Sequence, residues 1–276
     1  MEKNFTNATA SSGHSMSARL RRLAADVMIC IMFCTRLRLS HRKTTSPTSP
    51  VGELARSSWA FPIAGTLVGG IGALIYGAAV RVGVPAGPAA ALVLATTLVA
   101  TGCLHEDGLA DTADGFGSSG DRDRKLSIMR DSHIGTYGAA ALVISILLRW
   151  SALASIAEPV SVAFALLASH AAARGALPVF MRVVPQARSD GLSVAAGRPP
   201  APSAATAALL GAATILLCLG PTVALIGITL LAATGWLIAR LAVRQIGGQT
   251  GDVLGAFEQA GEMVVLLLVN ITKATP

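Results

Sequence analysis

Residues 102–138 read GCLHEDGLADTADGFGSSGDRDRKLSIMRDSHIGTYG and hold the densest group of acidic residues in the chain. Seven of the fifteen acidic residues lie here: Glu106, Asp107, Asp111, Asp114, Asp121, Asp123 and Asp131. The protein as a whole is 53% hydrophobic and only 13% charged, so the acid is concentrated in one segment of an apolar chain. The other segments are arranged around this one.

A helix over His105–Gly115 would bring three carboxylates to one face, because Asp107, Asp111 and Asp114 stand at positions i, i+4 and i+7. Like charges on one helical stripe repel each other, and a divalent cation removes that repulsion. Carboxylate oxygens suit Mg²⁺, which typically bridges one or two carboxylates to substrate phosphates. The spacing therefore predicts a metal site, and a solvated acidic loop between two membrane helices is the simpler alternative.

Basic side chains follow the acidic stripe within the same loop. They are Arg122, Arg124, Lys125, Arg130 and His133. Cationic groups that face a metal-binding stripe can bind phosphate oxygens, so the combination favours a phosphate-bearing substrate over a solvated loop.

Long apolar runs flank this loop and predict an all-α, polytopic integral membrane bundle. The mean hydropathy is +0.61, and a soluble domain would not carry so many apolar stretches of nearly span length. The predicted spans are 59–80, 88–104, 138–157, 160–181, 203–219 and 222–239, with a seventh at 263–271 that is short unless its helix begins near Val253. Six to seven transmembrane helices are expected.

Three segments precede the first span. The polar N-terminal residues predict a disordered extension over residues 1–22, ahead of a membrane-embedded domain over residues 23–276. The apolar run Leu20–Cys34 is too short to cross a hydrocarbon core of about 30 Å, so an interfacial or re-entrant helix is expected there. Thr44–Pro50 is typical of a linker.

The formal net charge of +7 is better explained by membrane topology than by nucleic-acid binding, since the basic residues scatter among loops without interleaved aromatic residues. Lys and Arg accumulate before the first span, in the acidic loop, between Arg182 and Arg198, and at Arg240 and Arg244. The alternate connections carry only Arg81. By the positive-inside rule, the N-terminus and the three polar loops should share the cytoplasmic side.

Further polar residues lie in the second half of the chain. The stretch RQIGGQTGDVLGAFEQAGE at 244–262 places glycines beside Thr250 and Asp252, where backbone amides can bind a phosphate while the carboxylate holds a metal. A Gly-rich turn before a short helix is the simpler alternative. His170 and Arg174 lie one turn apart within an apolar span, where ionisable residues are functional candidates. Arg174 could bind a phosphate, pair with an acidic group or snorkel to the helix end.

Three other ionisable residues lie near helix ends. His105, beside the carboxylate stripe, is a candidate general base or a polar cap on the second span. Arg149 and Asp26 are expected to snorkel or to pair with a neighbour. The four cysteines are dispersed and are expected to act as small apolar residues, not as a disulfide framework.

Taken together, these motifs resemble one family, the cobalamin-5'-phosphate synthases, also called adenosylcobinamide-GDP ribazoletransferases. The resemblance is carried by LHEDGLADTADGF (104–116), SIMRDSHIGTYG (127–138), GGQTGDVLGA (247–256) with Glu262 beyond it, and more weakly by FCTRL (33–37) and FPIAGTLVGG (61–70). It covers the chain from about Asp26 to the C-terminus. Cys103 and Glu106 depart from the family pattern, which has a glycine and an apolar residue at these positions.

The resemblance implies a multi-pass transferase of the bacterial cytoplasmic (inner) membrane whose active site faces the cytoplasm. The reaction transfers the cobinamide phosphate of adenosylcobinamide-GDP to α-ribazole or its 5'-phosphate, with release of GMP, and completes the nucleotide loop of vitamin B12. Mg²⁺ is the expected cofactor. The expected partners are the two substrates and the lipid bilayer, without nucleic acid, and the pattern is compatible with a homo-oligomer.

Roles for single residues follow from this resemblance as hypotheses. The expected metal ligands are Asp107, Asp111 and Asp114; the expected catalytic residues are His105, Asp111 and Asp252; and the expected substrate-binding residues are Arg130, Arg174, Gly248, Thr250 and Gly251. Asp252 would add a ligand or orient the acceptor. The two arginines would neutralise phosphate charge, and His105 or a carboxylate would take the acceptor proton.

Two other functions remain as alternatives. A CDP-alcohol phosphotransferase carries DGxxAR before two further aspartates at i+4 spacing, but here DGLAD places Ala110 and Asp111 where that pattern needs other residues.

An ion-coupled transporter usually places its coupling residues near the bilayer midplane in paired repeats. This chain instead concentrates its acid beside a loop, and release of GMP in detergent would separate the enzyme from the transporter.

Overall fold

The computed structural model describes residues 3–37 and 50–274, and the side chains of residues 19–37 and 52–272. The described part consists of twelve α-helices, one short 3-10 turn and loops, with a single isolated bridge between Gln186 and Gln249. The helices are α1 (Lys3–Cys34), α2 (Pro50–Ser57), α3 (Phe61–Arg81), α4 (Ala86–Thr101), α5 (Leu104–Gly117), α6 (Arg122–Ile128), α7 (Thr136–Ile156), α8 (Pro159–Val183), α9 (Leu192–Ala196), α10 (Ala201–Leu219), α11 (Pro221–Ile246) and α12 (Gly251–Ala274). The 3-10 turn, Ser58–Ala60, joins α2 to α3.

Six helical segments of the described chain are long and apolar enough to cross a membrane. They are Gly52–Arg81, Thr136–Ile156, Pro159–Val183, Ala201–Leu219, Pro221–Ile246 and Gly251–Thr272. The pair α4 and α5 adds a seventh, bent crossing if both count as one span. These findings confirm the predicted all-α membrane bundle, including a final helix that begins close to Val253.

The predicted second span, 88–104, is shorter in the structure. Helix α4 has 16 residues and ends at Thr101, so it reaches only about 24 Å. Gly102 and Cys103 both adopt left-handed backbone conformations, with φ of 66° and 59°. The chain consequently bends by 90° and enters α5, which confirms the helix predicted over His105–Gly115.

The N-terminal part of the described chain is one helix. The apolar run Leu20–Cys34 forms the second half of α1 and does not belong to any segment able to cross the membrane. The backbone is helical on both sides of residue 22. The disordered extension over residues 1–22 and the domain boundary at this position stay predictions. Of the predicted linker Thr44–Pro50, only Pro50, where α2 begins, lies within the described residues.

Helices α8 and α12 form the interior of the bundle. The most apolar window of α8 is 67% buried and that of α12 is 61% buried, against 22–39% for the other candidate spans. Helix α3 packs directly on α8, because Cβ atoms at Gly65 and Gly69 would collide with the backbone at His170 and Leu166. Polar residues on α8 and α12 are therefore enclosed by protein and do not face lipid.

The polar segments meet at one end of the bundle. Gln249 N donates to Pro185 O at 2.7 Å and Ala187 N donates to Gln249 O at 2.9 Å, which ties the α8–α9 loop to the α11–α12 loop. Helix α6 of the acidic loop contacts α11 beside them. The three polar loops therefore share one side, as the charge pattern predicts. The cytoplasmic identity of that side stays a prediction.

Candidate functional site

Two glycines bring the acidic helix α5 against the start of α12. A Cβ at Gly108 would lie 2.8 Å from the carbonyl oxygen of Asp252, and a Cβ at Gly255 would lie 3.0 Å from the carbonyl oxygen of His105. Two backbones can approach this closely only where neither carries a side chain. The crossing of α5 and α12 thus places the first acidic motif beside the GGQTGD motif.

Three carboxylates converge at this crossing. The negative charges that act most strongly on Asp111 are those of Asp107 and Asp252, with Asp114 next, while Arg188 acts with the opposite sign. Asp107 is exposed and Asp111 is half-buried. Two arginines, Arg188 and Arg130, do not balance three carboxylates, and hard oxygen donors with solvent access suit Mg²⁺. The residue types therefore suit a divalent cation, although the ligand oxygens of the three carboxylates do not all lie within 4.8 Å of one another in the described chain.

Asp114 already has partners within the protein. Its carboxylate accepts hydrogen bonds from Gly135 N at 2.7 Å and from Gly138 N at 2.8 Å. These amides belong to the N-terminus of α7, where a negative charge is favourable. A Cβ at either glycine would collide with this carboxylate. Each oxygen of Asp114 accepts one of these hydrogen bonds, and the expected role of Asp114 as a metal ligand stays a prediction.

The α11–α12 loop orients Asp252. The Thr250 hydroxyl donates to Asp252 Oδ2 at 3.0 Å and accepts from Val253 N at 3.3 Å, so Thr250 also caps α12. Gly248 packs against the backbone of Pro185 and has no room for a Cβ. Both Thr250 and Gly248 are buried, and their expected phosphate-binding roles stay predictions. Gly251 is half-buried, and its role stays a prediction.

Two arginines supply positive charge at the same end of the bundle. Arg130 Nη2 lies 2.5 Å from Asp190 Oδ1, and Arg188 Nη2 lies 3.5 Å from Asp252 Oδ2. Arg130 was expected from the sequence, whereas Arg188 was not. Nothing in its local sequence marks Arg188, because it reaches Asp252 only through the pairing of the Pro185–Ala187 segment with Gln249.

A second polar cluster lies buried below the crossing, among α5, α7, α8 and α12. Arg174 Nη1 lies 2.5 Å from Glu258 Oε1 and 2.7 Å from Glu262 Oε1. Arg149 Nη1 lies 3.0 Å from Glu106 Oε1 and 3.5 Å from Glu262 Oε2. The cluster is well enclosed, since Arg174 is only 1% exposed. Buried charges of this kind persist where opposite charges pair them.

This cluster revises one prediction and confirms two pairings. Arg174 has two carboxylates as partners and no access to solvent, so the structure does not support the expected contact with substrate phosphate. Arg149 is paired, and so is Asp26, which accepts from the Ser57 hydroxyl at 2.7 Å and from Trp59 Nε1 at 3.0 Å. Snorkelling explains neither Arg149 nor Arg174.

Two histidines complete the cluster. His170 Nδ1 contacts Glu262 and lies 3.0 Å from Arg174 Nη1. The ligand atoms of His170, Glu258 and Glu262 are close enough to hold a metal ion, but the Arg174 guanidinium already supplies the cation between the two carboxylates. His105 Nδ1 lies 3.5 Å from Glu258 Oε2.

His105 also borders the crossing. Its ring lines a narrow cavity of about 70 Å³ together with Asp107, Gly108 and Asp252. The side chain thus lies between the buried cluster and the carboxylates at the crossing. Its expected role as a general base stays a prediction.

Two wider cavities open on either side of Arg130. The arginine cavity, about 580 Å³, is lined by Arg122, Asp123, Arg130, Arg188 and Asp190, among others. The carboxylate cavity, about 490 Å³, is lined by Asp107, Asp111, Arg130, Asp131, Ile134 and Ile146, among others. Hydrogen bonds from the backbone and the ring of His133 lower the pKa of Asp131, which keeps this carboxyl ionised.

The chain matches the family model of cobalamin-5-phosphate synthase over residues 26–270. A protein of Bradyrhizobium diazoefficiens named adenosylcobinamide-GDP ribazoletransferase is 54% identical over 249 residues, which cover 90% of this chain and 94% of that protein. Proteins of the same name from Mesorhizobium japonicum and Azorhizobium caulinodans are 48% and 43% identical, each over 92% of this chain and over 96% and 98% of their own lengths. No solved structure matches the chain. The matched region contains the crossing of α5 and α12 and the buried cluster.

Proposed function

The chain belongs to the cobalamin-5-phosphate synthase family, and from this we propose that it transfers the cobinamide phosphate of adenosylcobinamide-GDP to α-ribazole or its 5'-phosphate, releasing GMP. This reaction assembles the nucleotide loop of cobalamin. The observation that carries the proposal is the convergence of Asp107, Asp111 and Asp252 with Arg130 and Arg188 at one end of a membrane bundle. Carboxylates for a cation and arginines for a diphosphate are what phosphoryl-type transfer needs.

We propose Mg²⁺ as the cofactor, held by Asp107, Asp111 and Asp252. When bound there, the ion would offset the negative charge of the donor diphosphate and of the departing GMP. The excess of carboxylate over arginine at the crossing supports this assignment. The bonds from Gly135 and Gly138 to Asp114 argue against a fourth ligand from α5.

In the reaction, the oxygen of a ribose hydroxyl that is free in both acceptors, and therefore not the 5' oxygen, forms a bond to the phosphorus that carries cobinamide. The bond from that phosphorus to the GMP oxygen breaks, and its electron pair leaves with GMP. Arg130 and Arg188 can exchange Asp190 and Asp252 for phosphate oxygens, because charge-assisted bonds to phosphate are at least as strong. We propose that a carboxylate at the crossing takes the acceptor proton, because the nearest partner of His105 Nδ1 is Arg174 Nη2 at 3.3 Å, a donor that leaves the ring proton on Nε2.

We further propose that the site faces the cytoplasm from the inner membrane. The polar loops that form the site carry most of the Lys and Arg in the connections, and such loops stay on the cytoplasmic side. Both substrates carry strongly hydrated polar groups. A site at the end of the bundle can bind these groups without moving a charged diphosphate into the hydrocarbon core.

The proposal is tested by GMP release from adenosylcobinamide-GDP with α-ribazole or its 5'-phosphate as acceptor. Wild-type protein in detergent should release GMP only when Mg²⁺ is present, and Asp111→Asn at matched expression should lose this activity. Glu53→Gln, which removes a carboxylate from α2, serves as the control and should keep it. If well-folded wild-type protein releases no GMP with either acceptor, the transfer function is wrong for this chain. Because detergent holds no ion gradient, GMP release also excludes the transporter alternative.

A further inference from the structure

The arginine cavity contains a carboxylate that its arginines do not engage. Asp123 lines this cavity and is exposed. Within the part of the chain that the structure describes, it forms no hydrogen bond or ion pair, whereas Asp190 in the same cavity contacts both Arg130 and Arg188. A free acceptor beside three arginines is available to a ligand that carries hydrogen-bond donors.

The helix that carries Asp123 is fixed in place from both of its flanks. Arg122 donates to Ile246 O from Nε at 2.8 Å and also to Ala187 O from Nη2. Lys125 Nζ donates to Gln245 Oε1 at 2.6 Å. These bonds hold α6 against the end of α11 and against the α8–α9 loop. Asp123 is therefore presented to the cavity from a wall that is ordered before any ligand binds.

Arg130 divides the space around the site into two compartments. It lines both the arginine cavity and the carboxylate cavity, so a diphosphate held by Arg130 and Arg188 would extend its two substituents in different directions. The arginine cavity, at about 580 Å³, lies within the range of about 300–1,000 Å³ that small-molecule sites occupy. Its lining is mainly charged, which suits a nucleotide. The carboxylate cavity has the apolar side chains Ile134 and Ile146 in its wall.

We propose that the arginine cavity binds the guanosine monophosphate half of the donor and that Asp123 recognises the guanine base. Guanine presents two neighbouring donors, N1–H and the N2 amino group, and a carboxylate can accept both at once. Adenine presents an acceptor at N1, which a carboxylate repels. This inference rests on the proposed transfer function and adds the location of the nucleotide and the origin of the preference for guanine.

The test measures nucleotide binding directly. Radiolabelled GMP is dialysed against the detergent-solubilised full chain, and unlabelled GMP, IMP and AMP compete. Wild-type protein should bind GMP roughly 5- to 100-fold more tightly than AMP, the range expected for one good bidentate contact to a base edge. IMP, which lacks the N2 amino group, should fall between them. Asp123→Asn and Asp123→Ala should both lose most of the preference, while affinity for AMP does not fall.

Asp131→Asn is the matched control, because Asp131 is an exposed aspartate of the same loop that lines the other cavity. It should keep the preference of the wild type for GMP over AMP. The proposal is overturned if wild-type protein shows no such preference, if both Asp123 variants retain it, or if Asp131→Asn alone loses it. The melting temperature of each variant is compared with that of the wild type, and Asp123→Ala replaces Asp123→Asn should the latter fail to fold.

Failure of this subsite and failure of the proposed function give different results. GMP release from adenosylcobinamide-GDP is measured on the same wild-type preparation. If GMP is released but the Asp123 variants keep the guanine preference, only the subsite is wrong. If GMP binds with the expected preference but no transfer occurs, the subsite stands and the transfer function fails.

Discussion

The aspartates at the crossing differ in what their oxygens contact. Asp107 and Asp111 face each other's charge and that of Asp252, whereas Asp114 holds two backbone amides of α7. Helical spacing alone placed Asp114 with the first two, because positions i, i+4 and i+7 share a face. Gly135 and Gly138 explain the different contacts of Asp114, since without side chains they let the start of α7 approach the Asp114 carboxylate.

This difference predicts opposite phenotypes for two isosteric substitutions. Asp114→Asn keeps only one acceptor oxygen for two amides, so we expect a loss of about 1–3 kcal/mol in stability with an unchanged Mg²⁺ requirement. Asp111→Asn should abolish GMP release without lowering the melting temperature. Thermal unfolding and Mg²⁺ titration of activity measure both effects. If Asp114→Asn is as stable as the wild type but needs a higher Mg²⁺ concentration for activity, Asp114 is a metal ligand and this prediction is wrong.

Arg174 offers a second prediction at this scale. Replacing it by Gln leaves Glu258 buried without an arginine partner and Glu262 with only the more distant Arg149, and breaking such a buried pair typically costs about 3–5 kcal/mol. Adding Glu258→Gln to Arg174→Gln should recover part of that loss, because the carboxylate left without an arginine becomes neutral. Unfolding in mixed micelles measures the stabilities. A stable Arg174→Gln protein with a raised KM for the donor would instead support contact with substrate phosphate.

Some residues of the site were predictable and others were not. Asp107, Asp111 and Asp252 follow from motifs in which acid and glycine stand close together in the sequence. Arg188 does not, because 64 residues separate it from Asp252 and only the backbone pairing between two loops brings them together. A contact that depends on tertiary structure has no local sequence pattern from which it could be predicted.

Between elements, the decisive feature is the contact of α5 with α12 at Gly108 and Gly255. The turn that directs α5 towards this contact lies at Gly102 and Cys103. Hydropathy predicted an uninterrupted span through residue 104, since the apolar run continues to Leu104. The helix ends instead at a left-handed glycine cap, in which Cys103 N donates to Leu98 O at 3.0 Å. Arg36, which follows α1, donates from its backbone N to Ala100 O at 2.7 Å beside this cap.

Gly108→Ala tests this contact. The new Cβ would lie 2.8 Å from the Asp252 carbonyl oxygen and 3.0 Å from its Cα, so the two helices must separate and the carboxylates with them. We expect GMP release to fall at least about tenfold, because displacements near 1 Å can cost a hundredfold in rate. Gly77→Ala in α3 is the control, since its Cβ would meet nothing within 4 Å. It should be neutral or stabilising by up to about 1 kcal/mol. Full activity in Gly108→Ala would contradict the role of the crossing.

For the molecule as a whole, hydropathy predicted the six to seven spans and the short connections that join neighbouring spans. The division into interior and peripheral helices was not, because α8 and α12, with hydropathy 1.4, still pass as ordinary spans. Their burial explains why ionisable residues tolerate membrane depth here. The buried charges Arg174, Glu258 and Glu262 pair across α8 and α12, so a partner offsets their desolvation.

Orientation gives a prediction at this scale. Cys103 is exposed at the end of the bundle that carries the site, and Val82, 80% exposed, lies at the opposite end of α3. A membrane-impermeant maleimide added to intact spheroplasts should label Val82→Cys in a Cys103→Ser, Cys218→Ser background, since Cys218 is also a partly exposed thiol. It should label Cys103 in the Cys218→Ser protein only after permeabilisation. The reverse pattern would place the site outside the cytoplasm and contradict the proposed localisation.

The buried cluster also bears on how the protein is made. Arg149 and Arg174 belong to α7 and α8, whereas Glu258 and Glu262 belong to α12, which leaves the ribosome later. An arginine at the centre of a span costs about 2.5–3.5 kcal/mol during insertion. Arg149 already has Glu106 of α5 as its partner, whereas both carboxylates that pair with Arg174 are still to be made. We therefore expect α8 to enter the membrane with an unpaired charge that only α12 neutralises, and the same late helix carries Asp252 to the site.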